Sequence, residues 1–183
     1  LIDHADEGDV RENFDYGAEG ALQFGHWGDD SHRAWAFHLH EGYTAAKCPW
    51  TPRVGVEVNA ASGDGSPGDD DHNTFDNLFP TNHIHYGAMD FMSWRNMINP
   101  NLNLTFKPLR SFQMFEKVTV SLYHHWFWLH KKEDSWYNAG GGTIRRDRTG
   151  LSGDYIGREI DFTVKYPINK HLAVATGVYK FWA

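Results

Sequence analysis

Long apolar runs are missing from this chain of 183 residues. No stretch approaches the roughly 18 to 20 consecutive apolar residues of a membrane-spanning helix, so a crossing of the bilayer would have to be made by strands, whose signal is weaker and alternating. Cysteine is also scarce. Cys48 stands alone, cannot close an internal disulfide, and reads as a small residue in a short turn. Positive charge is short as well: 17 Lys and Arg face 24 Asp and Glu, for a formal charge of −7. No basic stripe is present to neutralise a phosphate backbone, which excludes nucleic acid as an expected partner. For catalysis the sequence lacks a nucleophile elbow, a paired-cysteine metal site and a phosphate-cradling loop. Gly140-Gly141-Gly142 precedes no helical pattern and reads as loop. No enzymatic activity is expected.

What the chain has is aromatic residues and glycine: 12 Phe, 8 Trp, 8 Tyr and 18 Gly in a chain only 40% hydrophobic. That mixture suits many strands and turns and points to an all-β protein. Alternation of period two recurs along it. Trp35, Phe37 and Leu39 oppose Ala34, Ala36, His38 and His40, and Val54, Val56 and Val58 oppose Arg53, Glu57 and Asn59. Leu102, Leu104 and Phe106 oppose Asn101, Asn103, Thr105 and Lys107. Ile160, Phe162, Val164 and Tyr166 oppose Glu159, Asp161, Thr163 and Lys165. With the runs at 15–25, 118–128 and 171–182, about seven strands are expected.

Periodicity alone cannot separate a soluble sandwich, with its apolar face inside, from a membrane barrel, with its apolar face on lipid. Two features favour an antiparallel transmembrane β-barrel. The runs are long for a sandwich, and Tyr16, Trp27, Tyr43, Trp50, Tyr166 and Trp182 sit near strand ends, where interfacial girdles belong. Short links at 47–52, 108–116 and 167–170 alternate with long polar ones at 62–99 and 131–155. The long ones all fall on one side, as extracellular loops, if 84–97 is a folded part of the first loop and not an eighth strand.

A series of motifs runs through these elements. Val54-Gly55-Val56-Glu57-Val58-Asn59 leads into Ala60-Ala61-Ser62-Gly63-Asp64, and then come Thr74-Phe75-Asp76 and Phe79-Pro80-Thr81. Tyr86-Gly87, Trp94-Arg95-Asn96, Tyr123-His124-His125, Asp134-Ser135-Trp136-Tyr137 and Ile156-Gly157 with Glu159-Ile160-Asp161 follow in order. In order and spacing this series resembles the alginate-export family of outer-membrane barrels, over nearly the whole chain. The resemblance implies a bacterial outer-membrane location and a porin or exporter of a hydrophilic solute, with a saccharide or polysaccharide as the family-based expectation. It also implies that residues 1–183 form a single partial barrel domain, short of N-terminal strands and of a closing strand, because family members are much longer. The remaining strands, or partner envelope proteins, and the lipid bilayer are the expected partners.

A charged lumen would select solutes. By alternation Arg53, Lys107 and Lys165 face inward with Glu57, Glu159 and Asp161, and the family motifs add Arg95 and Arg158. The same residues could equally form a salt-bridge ladder that stiffens the wall. No cofactor is expected apart from calcium in the Asp-rich loop, whose candidate ligands are Asp64, Asp69, Asp70 and Asp71, although an EF-hand's Gly and terminal Glu are missing. His38 with His40, and His83 with His85, would each put two imidazoles on one face if extended. Two other functions stay open: a soluble β-sandwich that binds carbohydrate, with Val54, Val56 and Val58 buried against a second sheet, and a plugged barrel that only scaffolds an envelope complex.

Overall fold

The computed structural model describes residues 13–183. Its strands are β1 (Phe14–Trp27), β2 (Asp30–Thr44), β3 (Arg53–Ala61), β4 (Asp71–His72), β5 (Met97–Phe106), β6 (Thr119–Trp128), β7 (Ser135–Tyr137), β8 (Thr143–Arg146), β9 (Tyr155–Pro167) and β10 (Ala173–Trp182), with one helical turn, α1 (Asn82–His85). The long strands form a meander in the order β1-β2-β3-β5-β6-β9-β10, every pair antiparallel; β7 and β8 make a separate hairpin. Among the described residues the sheet does not close on itself. The alternation had located all seven long strands, while β4, β7, β8 and α1 are additions.

Each long strand holds between 9 and 15 residues, enough to cross a hydrocarbon layer at a tilt. A meander alternates ends, so the tight turn at Gly28 and Asp29 and the long connections 62–96 and 129–154 share one end. The connections 45–52, 107–118 and 168–172 share the other. Residues 84–96 add no spanning strand: α1 is followed by irregular chain, and β5 starts at Met97, so that the last three residues of the expected loop 62–99 are strand.

The pairing register stacks residues of like polarity in rows that cross the whole sheet. One outward row reads Phe14, Tyr43, Val54, Leu104, Leu122, Phe162, Val178. The next row, on the other face, reads Asp15, Gly42, Gly55, Asn103, Tyr123, Asp161, Tyr179. A further inward row reads Gly17, His40, Glu57, Asn101, His125, Glu159, Phe181. Val54 and Val56 are about half exposed, at 51% and 52%, whereas Asn59, Asn99 and Glu159 are fully buried. The hydrophobic face is thus open and the polar face covered, opposite to the requirement of a soluble sandwich.

What covers the polar face is the connection 62–96, together with part of 129–154. Tyr86 and Met92 pack with Met97, Phe127, Leu129 and Ile156, flanked by Trp94, Trp136 and Phe181. Phe75 settles on small inward side chains, Ala34, Ala36 and Ala61. The core therefore sits at the long-loop end, between the sheet and its cover. Pro100 lies inside β5 without a backbone donor, and at that point the Asn99 side-chain amide donates to the Trp126 carbonyl on β6 at 2.9 Å.

Candidate functional site

The inward rows carry a connected polar wall. Arg53 on β3 donates to both carboxylate oxygens of Asp15 on β1, at 2.8 and 2.5 Å, and to Asn103 on β5 at 2.8 Å. It reaches Asp15 across β2 because Gly42 lies beneath it, where a Cβ would overlap the guanidinium. Next along the wall, His38 bonds Asn59 at 2.7 Å and His40 at 2.9 Å, and Asn59 donates to Glu57 at 2.8 Å. Asn103 donates to Asn101 at 3.2 Å, and His125 lies 3.4 Å from Asn99 and 3.9 Å from Asp161. Below this level runs a hydroxyl-bearing row: Thr44, Arg53, Thr105, Ser121 and Thr163.

The cover meets the wall at Glu159 and Asp161. The backbone N–H of Met89 donates to Glu159 Oε1 at 2.9 Å, and that of Ala88 to Asp161 Oδ2 at 3.0 Å. Gly87 (φ +92°) packs directly on the Glu159 carboxylate, where a Cβ would stand 2.8 Å away. Two acidic side chains on β9 thereby hold the backbone of residues 87–89.

Within the loop layer, Asn96 (φ +47°) and Asp134 act as knots. The Asn96 side chain donates to the carbonyls of Lys131 and Ser135 at 2.9 and 3.0 Å and accepts from the Lys131 N–H at 2.8 Å. Asp134 accepts from the Asp64 N–H, the Thr74 hydroxyl, the Ser135 N–H and the Tyr137 hydroxyl. Burial and the Asp134 charge push the Tyr137 phenol up from its usual value. Burial pulls the His130 imidazole down, and its Nδ1 lies 3.1 Å from the Gly63 N–H, placed to accept it in the neutral ring. His72 is pulled down by burial and by His32, whose Nδ1 lies 3.0 Å from its own, and Trp27 stacks on its ring at 4.7 Å. Asp147, which accepts from the backbone and hydroxyls of Thr149 and Ser152, is held below the usual carboxylate range.

The residues singled out from sequence divide accordingly. Arg53, Glu57, Glu159 and Asp161 lie on one face, and Lys107 and Lys165 lie exposed toward the short-turn end. Arg95 belongs to the loop layer, paired with Asp76 and set over the Tyr137 ring at 5.2 Å. Arg158 must be corrected. Between Glu159 and the Gly157 bulge it falls on the outward face, 5.2 Å above the Trp182 ring, because neighbouring residues of a strand point to opposite sides.

The carboxylates of the Asp-rich loop are engaged within the loop itself. Asp64 is buried and accepts from Ser66, Asp69 accepts from Asp71, and among the described residues no group of three or more His, Cys, Asp or Glu is arranged to hold a metal. His83 and His85 sit on the helical turn α1, not on an extended segment, and His83 bonds Asp90. The neutral members of the wall, Asn59, Asn99, Asn101 and Asn103, were legible only as polar partners of an apolar face. Their signal was the alternation itself, since three of them fall at every second position of β5.

A long-stranded antiparallel meander with an exposed apolar face, a buried polar face and its long loops at one end is the wall of an outer-membrane β-barrel. The chain belongs to the alginate-export family, whose model matches residues 3–183. That family works in transport across the outer membrane. No curated protein matches the chain.

Proposed function

We propose that the inward rows line a passage for a hydrophilic solute, a saccharide or polysaccharide, across the outer membrane, and that residues 62–96 form an extracellular lid on it. The observation that carries this reading is the inversion of the faces: hydroxyl, amide and imidazole groups line the covered side while the apolar rows lie open. Such a wall offers alternating donors and acceptors to a polyhydroxylated chain, with Arg53, Glu57, Glu159 and Asp161 setting the charge. Carboxylates outnumber Arg53 along it, which favours neutral or weakly charged saccharides over a strongly anionic cargo. Strands beyond β1 and β10, from this protein or a partner, complete the barrel, because backbone groups in lipid need partners.

The test is single-channel conductance in planar bilayers of the protein as assembled in the outer membrane, with reversal potentials under a salt gradient. Discrete openings are expected, with cation preference rising in Arg53→Ala. The loop packing on the wall favours one other reading, a plugged barrel that scaffolds an envelope complex. Correct insertion without conductance, in wild type and in variants with a loosened lid, would decide for that reading. Solubility without detergent would overturn both.

A further inference from the structure

The connection 107–118 is too long for a minimal strand turn and too apolar for a wet one. It winds through successive turns, with the N–H of Phe112 bonding Leu109 O at 2.9 Å, that of Phe115 bonding Phe112 O at 2.8 Å, and that of Val118 bonding Phe115 O at 2.9 Å. It folds back over the outward face. The Tyr166 hydroxyl, on the outward side of β9, donates to Met114 O at 3.0 Å, and the Phe115 and Tyr166 rings stand 5.8 Å apart. On β6 the outward Val120 is 8% exposed, while Leu122, the next outward residue, is 39% exposed. The connection's remaining side chains then point away from the protein: Phe112 is 63% and Met114 73% exposed, beside the partly exposed Leu109.

We propose that residues 107–118 are an interfacial anchor, seating Phe112 and Met114 at the headgroup–acyl boundary of the phospholipid leaflet at the short-turn end. The occupant follows from continuity. The anchor extends the outward apolar rows, and so rests on their reading as lipid-facing. Trp50 stands beside it, its backbone carbonyl accepting from the Lys107 N–H at 2.9 Å and its ring 6.1 Å from Phe106 on the same outward side. The connection carries Lys107, Arg110 and Lys117 against a single carboxylate, Glu116, a charge balance that matches the phosphates of a headgroup layer. An anchor on one side of the wall fixes the depth and tilt at which the strands sit.

Nitroxide labels test this in vesicles of phosphatidylethanolamine and phosphatidylglycerol, on Phe112→Cys and Met114→Cys made in a Cys48→Ser background. Leu122→Cys supplies a lipid reference and Lys132→Cys a water reference. Folding of each variant is checked by heat-modifiable gel mobility. The ratio of oxygen to nickel-chelate accessibility at 112 and 114 is expected to lie several-fold above that at 132 and to approach that at 122. Ratios equal to that at 132 would overturn the anchor while leaving the lipid-facing wall intact. Water-like values at 122 as well would overturn the wall. Dipolar broadening at 112 that vanishes on dilution with unlabelled protein would assign the surface to a second copy and overturn the lipid assignment.

Discussion

Gly87 packs against the wall where a side chain has no room. Any side chain there meets the Glu159 carboxylate, and its φ of +92° already disfavours residues with a Cβ. Gly87→Ala should push residues 87–89 off the wall and weaken the two amide–carboxylate bonds. Two ordinary hydrogen bonds at about 0.5–1.5 kcal/mol each together contribute about 1–3 kcal/mol, and each 1.4 kcal/mol or so moves an equilibrium about tenfold. The lid should therefore open on the order of tenfold more often than in wild type, read as open probability in bilayers and as faster amide exchange over residues 86–90. An unchanged open probability with faster exchange would separate the lid from the passage. At the same scale, Arg158 shows how alternation and motif can conflict. Its neighbours Glu159 and Asp161 lie two apart and share a face, so Arg158 had to take the other, and the period alone held that information.

Among the elements, β4 is the least protected by its own length. Its two residues pair in parallel with the start of β2, Ser31 with Asp71 and His32 with His72, and hold by the His32–His72 contact and the Trp27 ring. Around His72 stand His32 and Arg95, which oppose its protonation, and Asp64 and Asp134, which favour it; burial decides for the neutral ring. Since the docked imidazole titrates below its undocked value of about 6.5, the undocked segment binds more protons. Docking is thus fully supported above that pH and is lost as pH falls through it toward the docked value. Deuterium uptake over residues 66–76 should rise on going from about pH 7.5 to about pH 5.5, relative to β5, and His72→Gln should flatten the change. Equal uptake at both pH values would rule out His72 as the titrating contact. Elements of this kind were illegible in the sequence for a physical reason. β4, α1 and β7 are shorter than the window in which a period can register, and β4 and β7 form only by pairing with β2 and β8. The long strands carry their own periodic signal, blurred at the start of β5, where Pro100 interrupts it, and along 171–182, which alternates less cleanly.

For the whole molecule, the decisive property is that the uncovered face is the apolar one. Leu122 lies near the middle of that face, in register with Leu104 and Phe162, while Val174 lies at the short-turn rim opposite Tyr166. An arginine at the bilayer midplane costs about 2–4 kcal/mol, and near the interface about 0–1 kcal/mol, because only the first is held in hydrocarbon. Leu122→Arg should therefore lower the unfolding free energy in lipid vesicles by about 2–4 kcal/mol and Val174→Arg by no more than about 1 kcal/mol. Both can be measured by urea titration of tryptophan emission. Ser121→Lys, one residue from Leu122 but in the hydroxyl row, should change stability by less than about 1 kcal/mol, since its ammonium faces the polar side. A water-soluble sheet offers no depth coordinate, so equal penalties at 122 and 174 would contradict the membrane wall. A large penalty at 174 with a small one at 122 would put the hydrocarbon at the wrong height on it. The expected order, large at 122 and small at both 174 and 121, requires that lipid lie on one face, that polar groups lie on the other, and that the midplane fall across the centre of the strands.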